Sequence, residues 1–200
     1  MKRTALVLLA CVAVGASIPV VRPFAERAWF FYRLARDPAP AYLPNPVSAS
    51  GRSRLEDTWG APRPGRRTHE GVDIFAPKGT PVVSTTRGIV TRVGMNRLGG
   101  RVVGVLGPGL EWHYYAHLDR FGAVREGDVI PAGAIIGYVG NTGNASGTPP
   151  HLHYGIYRNG AVNPYPRLAS PDAGVRSGSE QGQSTNATRI KPLSRSASGP

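Results

Sequence analysis

Between Val47 and Leu168 the apolar residues fall in runs of strand length, with no long helical spacing among them. The runs are 81–84, 88–93, 101–106, 111–118, 134–139 and 149–157, most of them bounded on at least one side by Gly, Pro or Asn. Ile and Val alternating with polar residues, and turns rich in glycine, predict antiparallel sheets with short loops rather than βαβ units. The expected fold class is therefore all-β. Alternation along Pro149–Tyr157 sends His151, His153, Gly155 and Tyr157 to one face and Leu152, Tyr154 and Ile156 to a core face. In Thr68–Ile74 the same rule puts His69, Gly71 and Asp73 together, with the glycine leaving room for an ion. In Glu111–Asp119 it groups His113, Tyr115 and His117. All 5 histidines thus lie in three β-like runs, whereas histidines used as polar surface residues would scatter into loops.

The flanks read differently. Lys2 and Arg3 precede a stretch without charge from Thr4 to Val21, which predicts an apolar helix serving as an export signal or a membrane anchor. Val14-Gly15-Ala16 offers a small-residue cleavage point. Cys11 lies within an apolar run that continues beyond it and reads as a buried apolar cysteine rather than a lipidation site. Phe24 to Leu34 carries Trp29, Phe30, Phe31 and Tyr32, an aromatic cluster suited to a membrane interface or a short amphipathic helix. Pro38, Pro40, Pro44 and Pro46 predict an extended, semi-rigid spacer. The expected organisation is a signal or anchor plus linker over 1–46, a folded domain over 47–169 and a disordered tail over 170–200.

Composition narrows the chemistry. The 200 residues, 40% of them hydrophobic, suffice for one domain with a sizeable core. The net charge of +12 is spread along the chain, with six basic and two acidic residues in 1–46, fourteen and eight in 47–169, and four and two in 170–200. A dispersed positive surface suits anionic polymers; a nucleic-acid module would concentrate Lys and Arg in a stripe with interleaved aromatics, so nucleic acid is not an expected partner. Cys11 is the single cysteine, which excludes a disulfide framework and a thiolate zinc site. Any metal site must use His, Asp or Glu. Glu70 follows His69 on the opposite strand face and reads as a surface residue or a support to the ligands rather than as the base, while Asn141 and Asn144 either satisfy turn geometry in a glycine-rich loop or line the groove.

Over residues 55 to 165 the chain resembles the lysostaphin-like zinc endopeptidases that cut peptidoglycan. That family is marked by H-x-x-x-D, Y-x-H-L and H-L-H runs in this order, here His69 to Asp73, Tyr115-Ala116-His117-Leu118 and His151-Leu152-His153. Intervening text matches at Ala76–Val82, Val124–Val129 and Ile136–Gly143. The resemblance implies a β-barrel-like sandwich of the duplicated hybrid motif type and one zinc ion per chain. It implies His69, Asp73 and His153 as zinc ligands, with His117 and His151 as catalytic histidines. Two imidazoles and a carboxylate leave a fourth tetrahedral position for water, the arrangement of catalytic rather than structural zinc. Neutral His117 or His151 then orients or deprotonates that water, and the imidazolium stabilises the oxyanion or protonates the leaving amine. Tyr115, on the face assigned to His117, is a candidate oxyanion donor or a packed aromatic.

The implied activity is hydrolysis of peptide cross-links or stem peptides of peptidoglycan by an exported metalloendopeptidase of the periplasm or cell envelope. Peptidoglycan peptides and other anionic envelope polymers are the expected partners, with the membrane a further one if the N-terminal segment stays uncleaved. The alternative is a non-catalytic peptidoglycan-binding regulator of other wall hydrolases, but members of that kind generally lack some of the five residues, all present here. A zinc D,D-carboxypeptidase would call for a downstream E-x-x-H, and Glu111-Trp112-His113 has the wrong spacing.

Overall fold

A computed structural model describes residues 21–47 and 53–168. Apart from Val21, the predicted apolar helix over 4–21 lies outside these residues, as does the predicted tail over 170–200. In chain order the elements are α1 (Arg22–Arg36), β1 (Arg54–Glu56), β2 (Pro62–Arg63), β3 (Arg67–Thr68), β4 (Val72–Phe75), β5 (Pro81–Val83) and β6 (Gly88–Asn96). There follow β7 (Gly100–Leu106), β8 (Trp112–Leu118), β9 (Arg120–Phe121), β10 (Val129–Ile130), β11 (Ile135–Tyr138), β12 (His151–Tyr157), β13 (Ala161–Val162) and α2 (Tyr165–Leu168). The main sheet runs β1-β4-β12-β8-β7-β6-β10, with β13 also paired to β12. A three-stranded sheet, β5-β11-β9, and the β2-β3 hairpin complete the set. Among the described residues every pairing is antiparallel, as the alternating pattern predicts.

One face of the main sheet is apolar. Val72 and Ile74 of β4, Leu152, Tyr154 and Ile156 of β12, and Val103 and Val105 of β7 are buried against Val82 and Ile136 of the small sheet. Full burial of Leu152 or Ile156 contributes about 1.5–3 kcal/mol each. The proline-rich stretch predicted as a spacer joins this core: Leu43 and Val47 are buried in it, and the Leu43 amide donates to the Arg167 carbonyl at 2.9 Å.

Strand β8 departs from simple alternation. Tyr115 pairs with Val103, yet Leu118 pairs with Arg101, so three steps on β8 oppose two on β7. The extra residue is a bulge at Ala116–His117, where His117 takes φ +61°. The expectation that His113, Tyr115 and His117 share a face is therefore overturned. His113 and Tyr115 lie opposite Ile156 and Tyr154 and point into the core, and the bulge turns His117 to the other face. Tyr115 is fully buried and its hydroxyl meets Thr85 Oγ1 at 2.9 Å, which removes it from the oxyanion role.

His113 is buried without exposure, its Nδ1 2.7 Å from the Tyr154 hydroxyl. Burial, assisted by the Arg167 charge, pushes its pKa down to about 3. The unfolded chain binds this proton below the ordinary value near 6.5 and the folded chain does not, so the contribution is present above that value and lost as pH falls toward 3. Urea unfolding at pH 7 and pH 5 is expected to show a loss about 2 kcal/mol larger in the parent protein than in His113→Phe. Equal losses in the two proteins would remove His113 from the acid response.

Candidate metal centre

The polar face of the main sheet gathers the remaining histidines. Register places His153 of β12 opposite Asp73 of β4 on one side and Ala116 on the other, beside the bulge that presents His117. His151, at the start of β12, lies two residues before His153 on the same face, with Nε2 3.9 Å from Asp73 Oδ1. His69 arrives from outside the strand. The chain leaves the ladder between β3 and β4, and hydrogen bonds with Gly60 and Ala61 hold the His69 backbone, so it reaches the site from a loop rather than by alternation with Asp73.

Three donor atoms converge. His69 Nε2 and His153 Nδ1 are 2.7 Å apart, and each lies near Asp73 Oδ1, at 3.3 and 3.4 Å. Tetrahedral zinc with bonds of about 2.0–2.1 Å has ligand–ligand edges of about 3.3–3.4 Å. The two carboxylate edges match that figure and the nitrogen pair is tighter. Two nitrogen lone pairs so close repel unless a proton or a cation lies between them. Gly71 leaves space for the His153 ring itself rather than for an ion: a Cβ there would stand 2.6 Å from His153 Cε1 and from the Tyr154 carbonyl oxygen.

Backbone carbonyls set the tautomers. His69 Nδ1 donates to the Thr58 carbonyl at 2.8 Å, His117 Nδ1 to the Thr142 carbonyl at 2.8 Å and His151 Nδ1 to the Pro149 carbonyl at 2.9 Å. A carbonyl only accepts, so each of these Nδ1 atoms carries hydrogen and each neutral ring keeps its lone pair on Nε2. The His117 and His151 rings stand 5.0 Å apart, edge to face. Burial, with repulsion from the His153 charge, pushes His117 down to about 4, partly offset by its bond to Thr142, so the ring is neutral near pH 7. Burial also lowers His153. Burial raises the Asp73 carboxyl, but hydrogen bonds from His153 and His69 outweigh it and hold the group well below the usual carboxylate range. Asp73 and His153 are thus in the forms that bind a cation.

Several supporting residues carry no periodic signal. Thr58 works twice, its carbonyl on His69 and its hydroxyl accepting from the Asp73 amide at 3.0 Å. Thr142 Oγ1 accepts from the Arg101 amide and donates to the Leu118 carbonyl, both at 2.9 Å, which docks the loop after β11 against the bulge. Tyr114, one residue from the predicted group, faces the site with its ring 6.0 Å from His153. Arg63 Nη2 donates to Asp73 Oδ2 at 3.1 Å, leaving Oδ1 to the histidines. Arg63→Ala is expected to weaken zinc binding by about 10-fold, the lower end of what a lost supporting hydrogen bond to a ligand costs. Competition against a chromogenic chelator measures this, and an unchanged affinity would show that Arg63 does not hold the carboxylate.

The family model described as Peptidase family M23 matches residues 67–164, which contain all five histidines and Asp73. An L-Ala--D-Glu endopeptidase of Bacillus subtilis is 44% identical over 124 residues, 56% of this chain and 38% of its own length. A DD-carboxypeptidase/endopeptidase of Neisseria meningitidis serogroup B is 41% identical over 99 residues, 49% of this chain and 22% of its own length. The chain therefore spans well under half the length of these two relatives. Among solved structures, the catalytic domain of lysostaphin from Staphylococcus simulans superposes with a TM-score of 0.53 at 33% identity, over 58% of this chain and 92% of that domain.

Proposed function

From the premise that the chain belongs to peptidase family M23, we propose that it is a zinc-dependent endopeptidase hydrolysing peptide cross-links or stem peptides of bacterial peptidoglycan. The observation that carries the reading is the meeting of three donor atoms, His69 Nε2, Asp73 Oδ1 and His153 Nδ1, beside two histidines whose Nε2 atoms are free. His69, Asp73 and His153 would hold the ion. When bound, zinc supplies Lewis acidity toward a scissile carbonyl and lowers the pKa of a bound water to about 7.

The rest falls to side chains of this domain. His117 and His151 each offer a basic Nε2, one to take a proton from the attacking water and one to steady the developing oxyanion or return a proton to the leaving amine. The Thr142 and Pro149 carbonyls stabilise either ring once it is protonated, because each already accepts its Nδ1–H. The relatives are named for different bonds, so the assignment here is to the substrate class. The uncharged stretch from Thr4 to Val21 supports export to the cell envelope.

Incubating the full chain with purified peptidoglycan is expected to release soluble peptides. Excess chelator abolishes the release, and zinc restores it. Protein that holds one zinc equivalent and leaves the polymer intact would overturn the reading.

A further inference from the structure

Helix α1 is fastened to the domain by one face only. Leu34 is fully buried and Phe30 partly so, and the helix ends pack against the turn at Pro108–Leu110 and beside Val124, Val129 and Ile130. Asp37, just past the last turn, pairs with Arg87 of the domain. These contacts set which way the opposite face looks. That face carries Phe24, Trp29, Phe31 and Tyr32, exposed at 70%, 62%, 46% and 49%, together with Ala28 and Ala35. Trp29 stacks on Tyr32 at 5.4 Å, and the Arg36 guanidinium lies 5.9 Å from the Tyr32 ring. Four outward aromatics on one helix are an interaction surface rather than scattered surface residues.

Charge identifies the partner. Arg22, Arg27, Arg33 and Arg36 stand against Glu26 as the one acid within the helix. Aromatics on one face flanked by arginines describe a helix that lies in the plane of an anionic lipid surface. The sequence running into the helix is uncharged from Thr4 to Val21, a composition suited to the same surface. We propose that α1 lies on the bilayer, its Phe24, Ala28 and Tyr32 face seated at the acyl boundary and its arginines on anionic headgroups.

The placement has a consequence for the metal centre. The N-terminal half of the helix lines a cleft together with β10, the last strand of the main sheet, and β12 lies four strands away. At about 4.8 Å per strand that is roughly 20 Å along the sheet. A helix held flat on the membrane fixes the domain by its β10 end and sets the histidine-bearing strand that distance from the anchored edge. The inference does not depend on the enzymatic reading, since it rests on no metal-site residue.

The test uses the full chain with Cys11→Ser, reconstituted in mixed phosphatidylcholine–phosphatidylglycerol vesicles. A single nitroxide is placed at Phe24→Cys, Ala28→Cys or Tyr32→Cys, with Met95→Cys, exposed on β6, as the water control. Collisions with oxygen are expected to exceed those with a nickel chelate several-fold at 24, 28 and 32, at a depth of about 5–10 Å, and to fall below them at 95. Agreement between 24, 28, 32 and 95 would overturn the proposal. So would labels shielded from both reagents and broadened by a neighbouring spin, the sign of a second copy on this face. The same depth in pure phosphatidylcholine would overturn the assignment to anionic lipid. Ala28→Cys is a small change on the exposed face and keeps the test valid if either aromatic replacement disturbs the helix.

Discussion

His153→Ala is expected to leave the protein without bound zinc and without hydrolytic activity, while the domain stays folded. His153 supplies one of three converging donor atoms and sits directly across the ladder from Asp73. Zinc held by four protein ligands is bound by about 10–16 kcal/mol, or roughly 2.5–4 kcal/mol per ligand, so loss of one ligand lowers affinity by about 10²–10³-fold. Asp73 would then keep His69 and Arg63 as partners, and its carboxylate would remain paired. The core face of β12, with Leu152, Tyr154 and Ile156, is untouched. Gly71→Ala should act in the same direction for a different reason, because its Cβ would displace the His153 ring. Metal analysis after dialysis, paired with urea unfolding in the presence of chelator, separates lost zinc from lost fold. A His153→Ala protein carrying a full equivalent of zinc would remove this residue from the ligand set.

How far the site could be read from the sequence depends on where period-two alternation survives. On β12 it does, and the separation of His151 and His153 from Leu152, Tyr154 and Ile156 follows from it directly. Along Thr68–Ile74 the grouping of His69 with Asp73 holds in space, but the chain between them leaves the ladder, so hydrogen bonds with Gly60 and Ala61 do what alternation was expected to do. On β8 the bulge reverses the pattern. His113, which alternation groups with His117, belongs to the core, and no local residue choice announces the extra residue. The partners of the histidines carry no pattern at all, for Thr58, Thr142 and Pro149 act on them through main-chain carbonyls, which every residue type possesses. Arg63 reaches Asp73 because the β2–β3 hairpin folds back over β4, a contact between residues ten apart that no repeat encodes. What periodicity could not group, the ordered H-x-x-x-D, Y-x-H-L and H-L-H text did, through resemblance.

His117→Asn is expected to retain zinc and fold yet lose activity by about 10²–10⁴-fold in kcat, the usual worth of a positioned acid or base. The choice of asparagine follows from the backbone. His117 has φ +61°, a left-handed conformation that asparagine tolerates better than most residues with a Cβ, so the bulge survives the change. None of the three donor atoms belongs to His117, and its ring stands 5.9 Å from that of His153, so metal affinity should change little. His151→Ala should give the same dissociation of activity from zinc content, since its Nε2 is 3.9 Å from Asp73 Oδ1 and its Nδ1 is held by Pro149. If the two rings share the proton transfers, the double variant should fall little further than the worse single one, because removing either already breaks the relay. Turnover by zinc-loaded protein, measured on a defined peptidoglycan peptide, decides the matter. Full activity in His117→Asn with its zinc in place would show that the bulge presents this histidine to the site for some purpose other than catalysis.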